Sequence, residues 1–269
     1  MISVENFEKR YGDFVAVSGM SFSIPTGSVA ALVGQNGAGK TTTIRTMCGI
    51  LRPTRGDLKV AGSSIVADPI SVKRKSAYVP DDPPLFSSLT VWEHLEFVAA
   101  SFRLTDWESD ATALCERFEL TAKRDTLASG LSRGMRQKVA ITCAYLRKPE
   151  VLLLDEPMTG LDPPSIRTLK ESIAEQSERG ATVLVSSHLL SLVEDLCDYL
   201  VLMRKGSVLF CGSMEHARAE FGGDAQSLEE VYFHLTNDDA STADPASPGE
   251  SADQASSEET VQPTENGDA

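Results

Sequence analysis

The chain has 269 residues, 25 Lys+Arg against 39 Asp+Glu for a net charge of −14, and 41% apolar residues. That length is ample for a packed core, and no run of about 18 apolar residues exists to span a membrane as a helix. The acidic balance argues against a nucleic-acid partner, which requires a basic face for phosphates.

Met1–Asn6 shows no basic segment followed by an apolar one, so no secretory signal is expected. Residues 2–36 read as strands: Ile2–Phe7 and Met20–Ile24 alternate, and Ser28–Val33 is a short apolar run ending at Gly34. A helix is expected from Lys40 to about Gly49, then a Pro53/Gly56 turn and a strand pair to about Val66. Ser76–Val79 is a strand ended by Pro80. Apolar residues three and four apart make 90–147 mostly helical. Val151–Leu154 and Ala181–Ser186 are buried strands flanking a helix from Pro163 to about Arg179, with Pro in its first turn. Leu189–Leu196 is expected as a helix, and Tyr199–Met203 and Ser207–Cys211 as strands around a Lys205-Gly206 turn.

From 237 to 269 there are nine acidic residues, no basic ones and one large aliphatic residue, Val261. Such a segment buries too little to offset its chain entropy, and a disordered tail is expected. Without it the charge on 1–236 is about −5. Five cysteines stand apart with no CxxC pair, which suggests reduced thiols of a cytoplasmic protein, each a small buried apolar residue.

Gly34-Gln35-Asn36-Gly37-Ala38-Gly39-Lys40-Thr41 fits GxxxxGK[ST], with an apolar strand before it and a helix after it. Glycines let backbone N–H groups converge on phosphate oxygens, and the helix N-terminus adds partial positive charge. Gly34, Asn36, Gly37, Ala38, Gly39, Lys40, Thr41 and the following Thr42 are the expected nucleotide contacts. Lys40 would reach the outer phosphates of a nucleoside triphosphate, and the Thr41 hydroxyl would ligate Mg²⁺. Val151–Leu154 runs into Asp155 and Glu156: Asp155 is placed to hold Mg²⁺, and Glu156 to polarise an attacking water as general base. The alternative is a pair of solvated acids at a strand end.

Over about residues 1–235 the chain resembles the ATP-binding-cassette (ABC) ATPases. Leu131-Ser132-Arg133-Gly134-Met135-Arg136-Gln137 is similar to that family's LSGGQ signature, with Arg133 where the family has glycine. The resemblance implies that Ser132 and Gly134 face the γ-phosphate held by a partner subunit. It also implies that Tyr11 stacks on adenine, the alternative being a half-exposed strand-end aromatic. Gly160-Leu161-Asp162 looks like the D-loop, with Asp162 at the partner site, and His188 stands where the family has its switch histidine. His94, His216 and His234 are expected to be surface or structural. One departure stands out: the family usually carries Gln after the strand ending in Tyr78-Val79-Pro80, and this chain has Asp81, then Asp82. A carboxylate can ligate Mg²⁺, so Asp81 is a further metal or water candidate; the alternative is a loop acid with no role.

The expected fold class is α/β: a P-loop NTPase with a mainly parallel core sheet, an N-terminal antiparallel β subdomain and an inserted α-helical subdomain at about 83–147. The ABC domain would span 1–236, the acidic tail 237–269. The implied function is the ATP-binding and ATP-hydrolysing subunit of an export-type transporter similar to the Ecs type and drug- or antibiotic-exporting relatives. One cassette per chain implies a homodimer or heterodimer with a second ABC ATPase, and a separate membrane permease. Location would be cytoplasmic, peripheral on the inner face of the membrane. Leu85, Phe86 and Trp92 are candidate permease contacts or simply core. The alternative is a soluble ABC ATPase of the iron–sulfur assembly type. The DNA-repair type is excluded because only about 90 residues separate Thr41 from Ser132, too few for its long coiled coil.

Overall fold

The computed structural model describes residues 1–221. The acidic tail, His234 and the last part of the 1–236 domain therefore lie outside the described residues.

The N-terminal strands are β1 (Ile2–Tyr11) and β2 (Phe14–Ile24), which pair antiparallel. β4 (Arg55–Val60) and β5 (Ser63–Ser64) complete a four-stranded antiparallel sheet in the order β2-β1-β4-β5. The second sheet has six strands. Its parallel members are β3 (Val29–Val33), β6 (Ser76–Val79), β7 (Val151–Asp155), β8 (Thr182–Ser187) and β9 (Tyr199–Arg204). β10 (Ser207–Ser213) adds antiparallel at the edge, giving the order β10-β9-β3-β8-β7-β6.

All residues of β3, β7 and β8 are buried, as a parallel sheet covered on both faces demands. Their side chains alternate between two cores with period two. Ala31, Val33, Leu152, Leu154, Val183 and Val185 join one core. It is covered by α3 (Val91–Phe102), α4 (Trp107–Arg117), α5 (Arg133–Leu146) and α6 (Pro163–Glu178). Ala30, Leu32, Val151, Leu153 and Leu184 face the other core, with Ile2, Val4, Leu58 and Val60 of the antiparallel sheet and Ile44 and Met47 of α1 (Lys40–Met47).

Three expectations are corrected. The stretch expected as a helix at 189–196 holds only a 3-10 turn over Leu190–Leu192. Leu190, Val193 and Cys197 are buried there, and their spacing of three and four suits successive turns as well as a helix. Two helices went unread. α2 (Pro69–Lys75) is capped by the Asp68 side chain, which accepts from Ser71 N at 3.0 Å, with Pro69 opening the helix. α7 (Met214–Phe221) follows β10. Of the cysteines, Cys48, Cys115 and Cys197 are buried, but Cys143 and Cys211 are only half-buried.

Candidate functional site

The parallel strands all point the same way, so the segments that follow β3, β6, β7 and β8 emerge at one edge. Register aligns them closely: Val33 pairs with Ser187, Asp155 with Ser186 and Val79 with Leu154. The glycine-rich loop, Asp81, Asp155-Glu156 and His188 are gathered at this edge by topology alone.

The loop after β3 is shaped by its glycines. Gly37 and Gly39 have φ of 84° and 101°, in the left-handed region that favours glycine. A Cβ on Gly34 would collide with the Met203 carbonyl and the Ala38 methyl. The β9–β10 turn closes on the loop, with Gly206 N donating to Ala38 O at 3.1 Å. Asn36 and Gly37 are exposed and Ala38 is buried. Lys40 opens α1, is 6% exposed, and curls back so that Nζ donates to Gly34 O at 2.6 Å. Its ammonium also stands 3.5 Å from Glu156 Oε1. Thr42, next on the helix, is half-buried.

Asp155 is 2% exposed and fully engaged. Its Oδ1 accepts from Thr41 Oγ1 at 3.2 Å and Ser186 Oγ at 2.7 Å, and its Oδ2 from Tyr78 Oη at 3.4 Å. Burial pushes the Tyr78 phenol up to about 12, so it remains a donor. Ser186 also accepts from Glu156 N at 2.9 Å, which fixes the backbone where Glu156 turns into the left-handed region at φ 50°. The Glu156 carboxylate is thereby aimed between two cations or potential cations. Oε1 faces Lys40, and Oε2 lies 2.9 Å from His188 Nδ1. A cavity of about 260 Å³ opens beside Glu156, lined by residues 157–160 and His188 among others. A larger cleft of about 710 Å³ lies between α4 and the ends of α5 and α6, lined by Arg117, Tyr145, Lys148 and Arg179, and holds none of the expected residues.

Thr41 hydroxyl and Asp155 carboxylate are oxygen donors of the kind a hard cation takes, and among the described residues no cluster of three His, Cys, Asp or Glu offers a complete protein cage. That set fits Mg²⁺, which draws its remaining ligands from phosphate and water. The Asp81 carboxylate accepts from Arg133 Nη2 at 2.7 Å.

The other expected residues stand apart. Tyr11 ends β1, is 47% exposed, and has Lys9 Nζ 5.1 Å from its ring centroid. Its hairpin flanks the glycine-rich loop, since a Cβ on Gly39 would lie 2.9 Å from Ala16 O of β2. Ser132 is the exposed N-cap of α5, its Oγ accepting from Met135 N at 3.3 Å. Gly134 allows α5 to pass under residue 160, where a Cβ would meet Gly160 O at 2.8 Å. Asp162 caps α6, accepting from Ser165 N at 2.9 Å. His94 is buried: its Nε2 accepts from Phe86 N at 3.0 Å, so Nδ1 donates to Thr90 O at 2.7 Å, a structural clamp on the loop before α3. His216 lies 3.3 Å from Glu220 on α7. Sequence reasoning missed Ser186 and Tyr78 as supports of Asp155, and the Lys40–Glu156 contact. The first two become visible only when the strand register is known.

Residues 17–159 match the family model described as ABC transporter. The ABC-type transporter ATP-binding protein EcsA of Bacillus subtilis (strain 168) is 34% identical over 242 residues, covering 89% of this chain and 98% of that protein. The SkfA peptide export ATP-binding protein SkfE of the same organism is 35% identical over 211 residues, covering 78% of this chain and 87% of that protein. A solved structure described as the ATP binding subunit of an ABC transporter superposes with a TM-score of 0.83 at 35% identity, covering 88% of this chain and 99% of that one.

Proposed function

Because this chain belongs to the ABC transporter family as an ATP-binding, ATP-hydrolysing subunit, we propose that it drives export through a separate membrane permease by closing as a dimer around ATP. The observation that carries the proposal is the convergence of Lys40, Thr41, Asp155, Glu156 and His188 at one edge of a parallel sheet, while Ser132 caps a helix elsewhere on the surface. One chain therefore offers a phosphate-binding half and a complementary tip. Mg²⁺, when bound, would neutralise phosphate charge.

The residues divide the work. Loop N–H groups of residues 34–42 receive phosphate oxygens, and Lys40 leaves the Gly34 carbonyl and Glu156 to do the same. Thr41 and Asp155 hold the cation, with Ser186 and Tyr78 keeping Asp155 in place. Glu156, freed from Lys40, accepts a proton from the attacking water, and His188 orients the Glu156 carboxylate. Ser132 and Gly134 of a second copy, or of a sibling subunit, bring the α5 N-terminus to the γ-phosphate, with Asp162 beside it. Tyr11 stacks on adenine. In this reading residues 1–236 form the cassette and about 83–147 its helical subdomain. No helix among the described residues is long and apolar enough to cross a membrane, so attachment to the inner face runs through the permease, against a surface that includes the exposed Phe86. The relatives named above are transporter subunits, which supports this reading over the soluble iron–sulfur assembly type.

The test is complementation in trans. Lys40→Ala removes the phosphate-binding half. Ser132→Asp keeps a good helix cap but repels phosphate from the tip. Each variant alone is expected to lose ATP hydrolysis, and an equal mixture to regain it through pairs that contain one intact composite site. A mixture as inactive as its components would refute pairing between two copies of this chain.

A further inference from the structure

α5 begins with an electrostatic deficit. Its first turn holds no acidic residue, although a helix N-terminus carries partial positive charge, and Arg133 and Arg136 add two more cations on one face. The missing negative charge comes from the loop that leaves β6. Arg133 Nη2 donates to Asp81 Oδ1 at 2.7 Å, and Arg136 Nη2 lies 3.7 Å from Asp82 Oδ1. Arg136 Nη1 also donates to Leu131 O at 3.1 Å, just ahead of the Ser132 tip. The Arg133 stem runs along Gly160, where a Cβ would sit 3.4 Å from Arg133 Cδ. The same loop continues to Phe86, 54% exposed and held through its N–H by His94.

We infer that Asp81–Arg133 and Asp82–Arg136 form a two-point charged latch, in which the loop carboxylates and an incoming triphosphate compete for the positive end of α5. This rests on the dimer reading above. Both pairs face solvent and are weak alone, but the two share one loop and one helix turn, and the Arg133–Asp81 hydrogen bond makes that contact directional. A phosphate brought to Ser132 by a second copy draws the same helix end away from Asp81 and Asp82 and releases the loop. By reciprocity, a partner that shifts the loop at Phe86 alters how readily the tip accepts phosphate. Asp81, which stands in place of the usual Gln, thus acts as a positioning residue through Arg133.

The experiment measures ATP-driven dimerisation by light scattering, using the full chain with Glu156→Gln to block turnover. Adding Asp81→Asn removes the competing carboxylate and is expected to lower the half-maximal ATP concentration by about 3- to 10-fold, with a smaller gain at high ionic strength, where the pair is already screened. In an Arg133→Gln background the same change is expected to have no further effect. A merely structural Asp81 would leave that concentration unchanged or raise it, and either result overturns the latch, as does an equal shift in the Arg133→Gln background. A parent that failed to dimerise with ATP would overturn the dimer reading and the latch together; a parent that dimerises while Asp81→Asn has no effect overturns the latch alone.

Discussion

The two halves of the proposed site are built on opposite terms. The half at the edge of β3, β7 and β8 is buried and cross-braced: Asp155 is held from three sides, and Glu156 from its backbone and both carboxylate oxygens. The α5 half is exposed, resting on one helix cap and two solvent-facing ion pairs. In the first half, Asp155 is buried and braced by Thr41, Ser186 and Tyr78. The second half holds a position that modest forces can change, which suits a surface that must meet another subunit and then let go. In the proposed reading, the difference teaches that chemistry falls to the buried, braced region and coupling to the exposed one.

Substitutions in the buried half should show the largest effects. Replacing Glu156 with Gln keeps the shape but removes the proton acceptor, so phosphate release is expected to fall by about 10²- to 10⁴-fold, while ATP binding followed by fluorescence titration persists. Turnover at the parental rate would remove Glu156 from the role of base and leave the two halves chemically equal. Next comes Gly34→Ala, which forces a methyl against the Met203 carbonyl. Overpacking of this kind costs about 1–3 kcal/mol, to be read from the urea midpoint; an unchanged midpoint would show that the loop yields instead of being braced by the Met203 carbonyl. The exposed half should respond least in stability. Ser132→Ala loses one cap, expected to cost about 1 kcal/mol in thermal unfolding, while Ser132→Asp restores that stability without restoring hydrolysis. If both variants tracked together in stability and in hydrolysis, the tip would be a structural cap only, and the contrast between the halves would fail.

The elements of the proposed phosphate-binding half were largely legible in the sequence because their pattern is local. Gly34 to Thr41 and Val151 to Glu156 each carry residue type, spacing and flanking strand within a few positions. The supports were not legible. Ser186 and Tyr78 reach Asp155 from different strands, and only the pairing of Asp155 with Ser186 and of Val79 with Leu154 makes them neighbours. The α2 helix could have been read, since Asp68-Pro69 is a cap followed by a first-turn proline. The helix expected at 189–196 failed because apolar residues three and four apart do not distinguish a helix from consecutive turns. Asp81 appeared in the sequence as an isolated departure from a pattern; its partner Arg133 lies 52 positions away.

The sequence by itself determined the glycine-rich strand–loop–helix of the proposed phosphate site, the carboxylates at the end of β7 and the helix start at Ser132, because backbone conformation and side-chain chemistry over short spans obey local rules. Tertiary structure alone decided which strand ends share an edge, that Lys40 rests on Glu156, and that Asp81 pairs with Arg133. Those contacts join residues far apart in the chain, and a spacing along the chain cannot encode a distance that only the register of a folded sheet sets.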